Sequence, residues 1–284
     1  SVVFIIASLC AIVPLIFVVI ISFTSKESIA SIGYSFMPES WSIEGYKTLW
    51  DTRASIGTSF MISIFITLFG TVVGLFLNAT MGYVLSRRSF KLRKLYTWIV
   101  FIPMIFNGGM VANFVVMRNI LHLDNNLLSL ILPLAVTSFY VIILRTFFTT
   151  TVPDSLIESA KIDGASQLRI FFQIVLPISL PALATIGLFL SFAYWNDWFQ
   201  AMLYIDNEDL FPLQYVLVKI DRQIDFMIRN STAMGMSAME MLDKMPQDAV
   251  KMAMVVVAVV PIACSYPFFQ RYFVSGLTIG AVKG

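Results

Sequence analysis

Apolar residues run through this chain in blocks too long for a soluble core. Positions 2–23, 56–85, 95–117, 127–149, 176–204 and 250–269 are each almost unbroken apolar sequence, and about 20 such residues carry a helix across a bilayer. The pattern predicts an all-α integral membrane protein with six transmembrane helices. A cleaved leader does not fit the first block, because its apolar run far exceeds the ~7–15 residues of a leader core and no basic residue precedes it. Between the fourth and fifth blocks lies a polar island, Pro153 to Pro177, with a helical pattern of its own. Ser155 and Glu158 have the spacing of a capping box, in which each side chain bonds the other's backbone N–H, so a helix is expected to start there. Ile157, Ala160, Gly164, Leu168 and Phe171 recur at steps of three and four and gather an apolar stripe. Glu158, Lys161, Ser166, Gln167 and Arg169 lie off it. Gly164 marks a break, since glycine accepts positive φ, and Ser166 can cap a second short helix. Pro177 and Pro181 then open the next span, where a missing N–H costs little. The expected element is a helix, a turn and a helix along one membrane surface; an amphipathic loop resting on headgroups is the simpler alternative.

Composition agrees with lipid as the main solvent: 58% of the 284 residues are hydrophobic and 13% charged, and the mean hydropathy is strongly positive. No long repeat, low-complexity tract or linker divides the chain, so residues 1–284 read as one bundle. Two segments outside the blocks are substantial: Thr24 to Ser55, with Trp41, Tyr46 and Trp50, and Ile205 to Ala249, with eight of the seventeen acids. They suit either docking of a soluble partner or amphipathic helices at the interface. Arg87, Arg88, Lys91, Arg93 and Lys94 crowd the loop between spans two and three without an acid among them. Basic loops stay cytoplasmic, which places both termini and the polar island on that side.

Candidate chemistry is mostly excluded. Cys10 and Cys264 both fall inside spans and are expected as small buried apolar residues, not a disulfide. His122 is the only histidine, which rules out a two-histidine zinc motif, and no serine triad is read around it. No glycine-rich phosphate-binding loop ending in Gly-Lys-Ser/Thr occurs, so any ATP must be bound by another chain. No catalytic residue and no metal ligands are expected.

At the polar island the residues carry a resemblance. Glu158-Ser159-Ala160, Gly164 and Ile174-x-Leu176-Pro177 resemble the EAA loop of permease subunits of binding-protein-dependent ABC importers, with that family's spacing intact and Ser159 where alanine is usual. Trp195-Asn196-Asp197 and the terminal Gln270-Arg271-Tyr272-Phe273-Val274-x-Gly276-Leu277-Thr278-x-Gly280-Ala281-Val282-Lys283-Gly284 are similar to carbohydrate permeases of the maltose-importer type. Asn107-Gly108-Gly109 and Phe211-Pro212-Leu213-Gln214 look more like the sub-branch serving complex oligosaccharides, including alginate-type polyuronates. The resemblance covers nearly the whole chain. It implies a multi-pass permease of the bacterial cytoplasmic (inner) membrane, surrounded by membrane lipid and moving a saccharide. Its implied partners are a second homologous permease subunit, two copies of an ATP-binding subunit that hold ATP and Mg, and an extracytoplasmic solute-binding protein; nucleic acid has no part. Residues 153–174 would then be the cytoplasmic coupling segment, with Glu158, Ser159, Ala160, Asp163, Gly164, Leu168 and Phe171 meeting a groove of the ATPase. The cytoplasmic tail, 271–284, with Arg271, Gly276, Gly280 and Lys283, would reach between the ATPase subunits. ATP-driven closure would convert an inward-facing cavity to an outward-facing one.

The path itself must be sought among polar groups inside the spans, because a charge near the bilayer centre costs about 2.5–3.5 kcal/mol. Asp197 is the only acid in any apolar block, and Tyr194, Trp195 and Asn196 adjoin it. Aromatic faces suit the apolar C–H faces of sugars, and Asn196 and Asp197 can bond hydroxyls; an interfacial aromatic belt explains the same cluster. Gly70, Gly74, Asn78 and Gly82 recur every four residues and form one small face for close helix packing, with Asn78 as a further pathway group. Pro103 and Asn107-Gly108-Gly109 interrupt span three, adding Asn107 and Asn113 as candidates. The alternative function is an ion-coupled secondary transporter of a small polar solute, for which Asp197 alone would have to carry the coupling.

Overall fold

The computed structural model describes residues 2–51, 53–234 and 247–281. The described residues are predominantly helical, and their only strand-like pairing is an isolated bridge between Thr24 and Trp41. Along the chain the helices are α1 (Val2–Ser22), α2 (Lys26–Ile32), α3 (Glu44–Asp51), α4 (Arg53–Ser86), α5 (Arg93–Ile105), α6 (Gly109–Ile120), α7 (Leu127–Ala135) and α8 (Ser138–Thr151). They continue as α9 (Asp154–Ile162), α10 (Gln167–Ile178), α11 (Leu180–Asn196), α12 (Phe199–Tyr204), α13 (Leu213–Met234) and α14 (Gln247–Ala281).

Three of these helices are long and apolar enough to cross a membrane alone: α1, α4 over Ile56–Ser86, and α14 over Gln247–Ser265. On α1 only Ile21 and Ser22 are buried, the pattern of a helix whose solvent is lipid. The other three blocks are bent pairs, α5 with α6 by 119°, α7 with α8 by 49° and α10 with α11 by 84°. The six apolar blocks thus form three rods and three broken pairs, which make up to six spans if each pair is one span. Each break has a local cause. Pro103 lies inside α5, and the Asn107-Gly108-Gly109 stretch turns at Gly109 with φ +80°. Pro133 lies inside α7, and Val136 and Thr137 beyond it are extended. At Ser179 the ring of Pro181 removes a donor from the start of α11. Within the fifth block α11 runs from Leu180 to Asn196, Asp197 is extended, and the short helix α12 follows.

The chain, read from its sequence as one bundle, packs as two compact units: Ser1–Met61 with Phe211–Cys264, and Ile62–Leu210 with Ser265–Gly284. In the first, Gly45 of α3 lies against the Ala249 backbone at the start of α14. The Tyr34 hydroxyl donates to Asp248 at 2.8 Å, and that bond raises the Tyr34 phenol above its ordinary value. Lys251 meets Asp225 at 2.5 Å and Asp221 at 3.2 Å, one turn apart on α13. Its hydrogen bond holds the Asp225 carboxyl below the usual range. Three of the acids in the second polar segment thus hold this unit together.

The second unit is built on the small face of α4. A Cβ on Gly70 would stand 2.6 Å from the Tyr194 ring, and one on Gly82 3.0 Å from Leu144 and the Arg145 backbone. Leu144, Phe148, Ile170, Ile186 and Leu190 are fully buried around it. One further expectation changes. Cys10 and Cys264 are free thiols on exposed faces, not buried residues. The segment expected as the tail is helical as far as Ala281, so Arg271, Gly276 and Gly280 lie on the continuation of α14 beyond its apolar stretch, which ends at Ser265; Lys283 lies outside the described residues.

Candidate functional site

The polar island folds as two helices joined by a glycine turn. Helix α9 starts at Asp154, one residue before the expected capping box, and Ser155 makes no capping bond. Pro153, extended at φ −61° and ψ 135°, sets the entry instead, and the Asp154 carboxylate lies 3.4 Å from Arg87 and 3.8 Å from Arg88. Negative charge in a helix's first turn also favours its dipole. At the other end, Gly164 N donates to Lys161 O at 3.0 Å and Ala165 N to Ala160 O at 2.9 Å. This is a Schellman cap with glycine at its left-handed position. Gly164 has φ +79° and open space around its Cβ position, so conformation, not room, demands glycine. Ser166 Oγ then accepts from Arg169 N at 3.2 Å and starts α10, as its spacing predicts.

The turn resets the helical phase, and this corrects the apolar stripe. Ile157, Ala160, Ile170 and Phe171 are buried within the chain's own packing, so Ala160 and Phe171 do not face outward. Leu168 does not join them: it is 71% exposed, and Ile162 on the other side of the turn is 86% exposed. Glu158, Ser159, Asp163 and Gly164 are exposed as well. The outward surface is therefore two bare aliphatic side chains straddling a glycine turn, with two acids beside them.

Arg87 holds this element from beneath, although in the sequence it reads only as one of five basic loop residues. It is 9% exposed. Its guanidinium also donates to Phe148 O at 3.2 Å and to Ser86 Oγ at 2.9 Å, and lies 5.2 Å from the centre of the Tyr83 ring. One turn back, the Tyr83 hydroxyl reaches Gln167 of α10 at 3.4 Å.

Within the spans the structure sorts the polar candidates. Asn78 is fully buried, with Nδ2 donating to Gly74 O at 2.6 Å and Ala135 O at 2.7 Å, while Oδ1 accepts from Thr137 N at 3.2 Å. It satisfies the backbone groups freed at the α7–α8 break and is corrected from a pathway group to a brace. Tyr194 is also corrected: its ring packs on Gly70 and its hydroxyl donates to Ile131 O at 2.8 Å. Trp195 is buried too, which removes it from both the sugar-contact and the interfacial-belt readings. Asn196 is exposed at the end of α11, donating to Phe192 O, and Asp197 accepts from Gln200 N at 3.4 Å.

Asn107 and Asn113 come together with residues the sequence did not mark. Two of the broken pairs turn toward one open cleft of about 410 Å3, lined by Phe106, Asn107 and Asn113 from one and Thr137, Ser138 and Phe139 from the other. Asn107 Oδ1 accepts from Gly109 N at 2.8 Å and fixes the first break; Asn78 fixes the second from behind through Thr137. Irregular backbone at membrane depth is tolerated where it lines a cavity. The signal for residues 137–139 was Pro133 followed by a Thr-Ser pair inside an apolar block. A larger groove, about 480 Å3, runs along α13 past Tyr215, Lys219, Arg222 and Phe226, but one helix supplies all its walls and it encloses nothing.

Comparison with known proteins follows the same lines. The family model described as binding-protein-dependent transport system inner membrane component matches residues 70–279. The chain is 41% identical over 278 residues to the polygalacturonan/rhamnogalacturonan transport system permease protein of Bacillus subtilis, covering 98% of this chain and 94% of that protein. It is 37% identical over 273 residues to protein LplC of the same organism, covering 96% and 90%. Among solved structures, that of a bacterial ABC transporter involved in the import of the acidic polysaccharide alginate matches with a TM-score of 0.82 at 29% identity, covering 96% of this chain and 94% of that one.

Proposed function

We infer that this chain, which belongs to the binding-protein-dependent transport system inner membrane component family, passes fragments of an acidic polysaccharide through the membrane while a separate ATPase supplies the motion. The observation that carries the coupling half of this reading is the Gly164 turn, which presents Ile162 and Leu168 outward beside Glu158 and Asp163. Two exposed aliphatic side chains on a surface otherwise facing water suit an apolar groove on a partner. Glu158 would meet basic groups at its rim. The basic loop around Arg87 supports a cytoplasmic position for this element and for both termini. The assembly is read as this chain, a second homologous permease, two ATP-binding subunits carrying ATP and Mg, and a solute-binding protein on the opposite face.

The cleft between the two broken pairs is the proposed path. Asn107, Asn113, Thr137 and Ser138 offer donors and acceptors for sugar hydroxyls, and Phe106 and Phe139 offer apolar faces. The substrate class comes from the relatives: one is named for polygalacturonan and rhamnogalacturonan, and the solved neighbour imports alginate. The test is uptake of labelled oligogalacturonides into vesicles holding the complete importer. ATP should drive it, an ATPase unable to hydrolyse should abolish it, and unlabelled neutral arabino-oligosaccharides should compete poorly. Uptake that continues with hydrolysis blocked would overturn the reading.

A further inference from the structure

The least expected contact in the molecule is the one Arg87 makes at the meeting point of three helices. Its side chain is 10% exposed, far below the 82% of neighbouring Arg88. One arm of the guanidinium reaches Asp154 at the first residue of α9, at 3.4 Å. The other reaches the carbonyl of Phe148 in the last turn of α8, at 3.2 Å, and Nε is held by Ser86 at the end of α4, at 2.9 Å. Both targets are electrically negative, since a helix's last carbonyls carry the negative end of its dipole. A planar fork can serve the two at once; an ammonium on a flexible stem cannot hold the same pair of directions.

We propose that Arg87 is the positioning residue that joins the coupling segment to the spans, so that displacement of α9 moves α8 and α4 together. This rests on the reading of residues 153–174 as the coupling segment. Tyr83, one turn earlier on α4, grips the other half through Gln167, so the end of α4 holds both helices flanking the Gly164 turn. The path from there is short. Helix α8 begins at Ser138 and Phe139, which line the cleft. A charge needed only to orient the loop would be replaceable by any other cation; a fork joining two helices would not.

The test uses the complete importer in lipid vesicles, with Cys10 and Cys264 replaced by serine; a reporter cysteine at Ser138 is added for the labelling measurement alone, and uptake is read with Ser138 intact. Two quantities are read: the ATP-dependent change in labelling rate at that cysteine, which needs no saccharide, and oligogalacturonide uptake per ATP hydrolysed. Arg87→Lys keeps the charge and is expected to insert normally and retain the ATPase subunits. It should nevertheless lose the labelling change and reduce uptake per ATP on the order of tenfold. Asp154→Asn should show the same defect in milder form, and Arg87→Lys combined with Asp154→Asn should be little worse than Arg87→Lys alone. Wild-type labelling and uptake in Arg87→Lys would overturn the proposal. Glu158→Lys separates the two levels. If it uncouples while Arg87→Lys does not, the coupling segment stands and the role of Arg87 falls; if Glu158→Lys couples normally, the underlying reading falls.

Discussion

Replacing Asn78 by leucine distinguishes a brace from a pathway residue. The two side chains are nearly isosteric, so the change removes hydrogen bonds without opening a cavity. Of the three bonds, the one to Gly74 O matters least, because that carbonyl sits inside α4 with a helical partner. The other two leave Ala135 O without this donor and Thr137 N without this acceptor at the α7–α8 break. Orphaned buried groups cost about 1–3 kcal/mol each in soluble proteins. Interhelical bonds in a membrane protein average ~0.6 kcal/mol and reach ~1.7, because the unfolded chain in lipid finds other partners. The lower scale applies here, and two bonds at its values give roughly 1–3 kcal/mol. Reversible unfolding in mixed micelles measures it directly. A loss of less than about 0.5 kcal/mol with uptake abolished would refute the brace and return Asn78 to the pathway.

Other expectations follow from the same contacts. Gly70→Ala drives a methyl to 2.6 Å from the Tyr194 ring, which cannot retreat without breaking its bond to Ile131 O; the overpacking should cost about 1–3 kcal/mol in the same unfolding assay, and wild-type stability would contradict the packing. Gly164→Ala meets no neighbour but forces a left-handed conformation at about 1–2 kcal/mol, so it should impair uptake per ATP more than Gly164→Asn, whose side chain tolerates that conformation; equal effects would argue against the Schellman turn. The Asp225 carboxyl is held low by Lys251. Its folded value lies below its unfolded value near ~3.9, so the pair's contribution is complete above that pH and is lost as pH falls through the folded value. The stability difference between wild type and Lys251→Met should therefore stay level from about pH 8 to about pH 5 and shrink only below about pH 4; fading between pH 8 and pH 6 would contradict the assignment.

What the sequence made legible was punctuation. Pro103 and Asn107-Gly108-Gly109 marked the break in span three and Pro181 the start of the next helix, because a missing donor or a positive φ acts locally; Pro133, in the helix before the α7–α8 break, went unread. How far each pair bends depends on what packs against it, and no local rule contains that. Gly164 and Ser166 were readable for the same reason. Ser155 misled because Pro153 and the Arg87 contact start the helix one residue early. Leu168 misled because counting threes and fours through a Schellman turn carries the wrong phase into α10. Asn78 and Tyr194 were ambiguous in kind: a buried polar side chain in a span either faces a path or satisfies a break, and their partners, Ala135 and Ile131, stand 57 and 63 residues away. Arg87 was invisible because counting charges records sign and not burial.

The central claim is that the surface around Gly164 receives the movement of an ATPase. Ile162→Asp combined with Leu168→Asp tests it most directly, since both side chains are bare and neither supports the fold. The account predicts a chain that inserts and unfolds like wild type but no longer retains the ATP-binding subunits through purification and shows no ATP-driven oligogalacturonide uptake. Full retention of those subunits with wild-type uptake per ATP would contradict it.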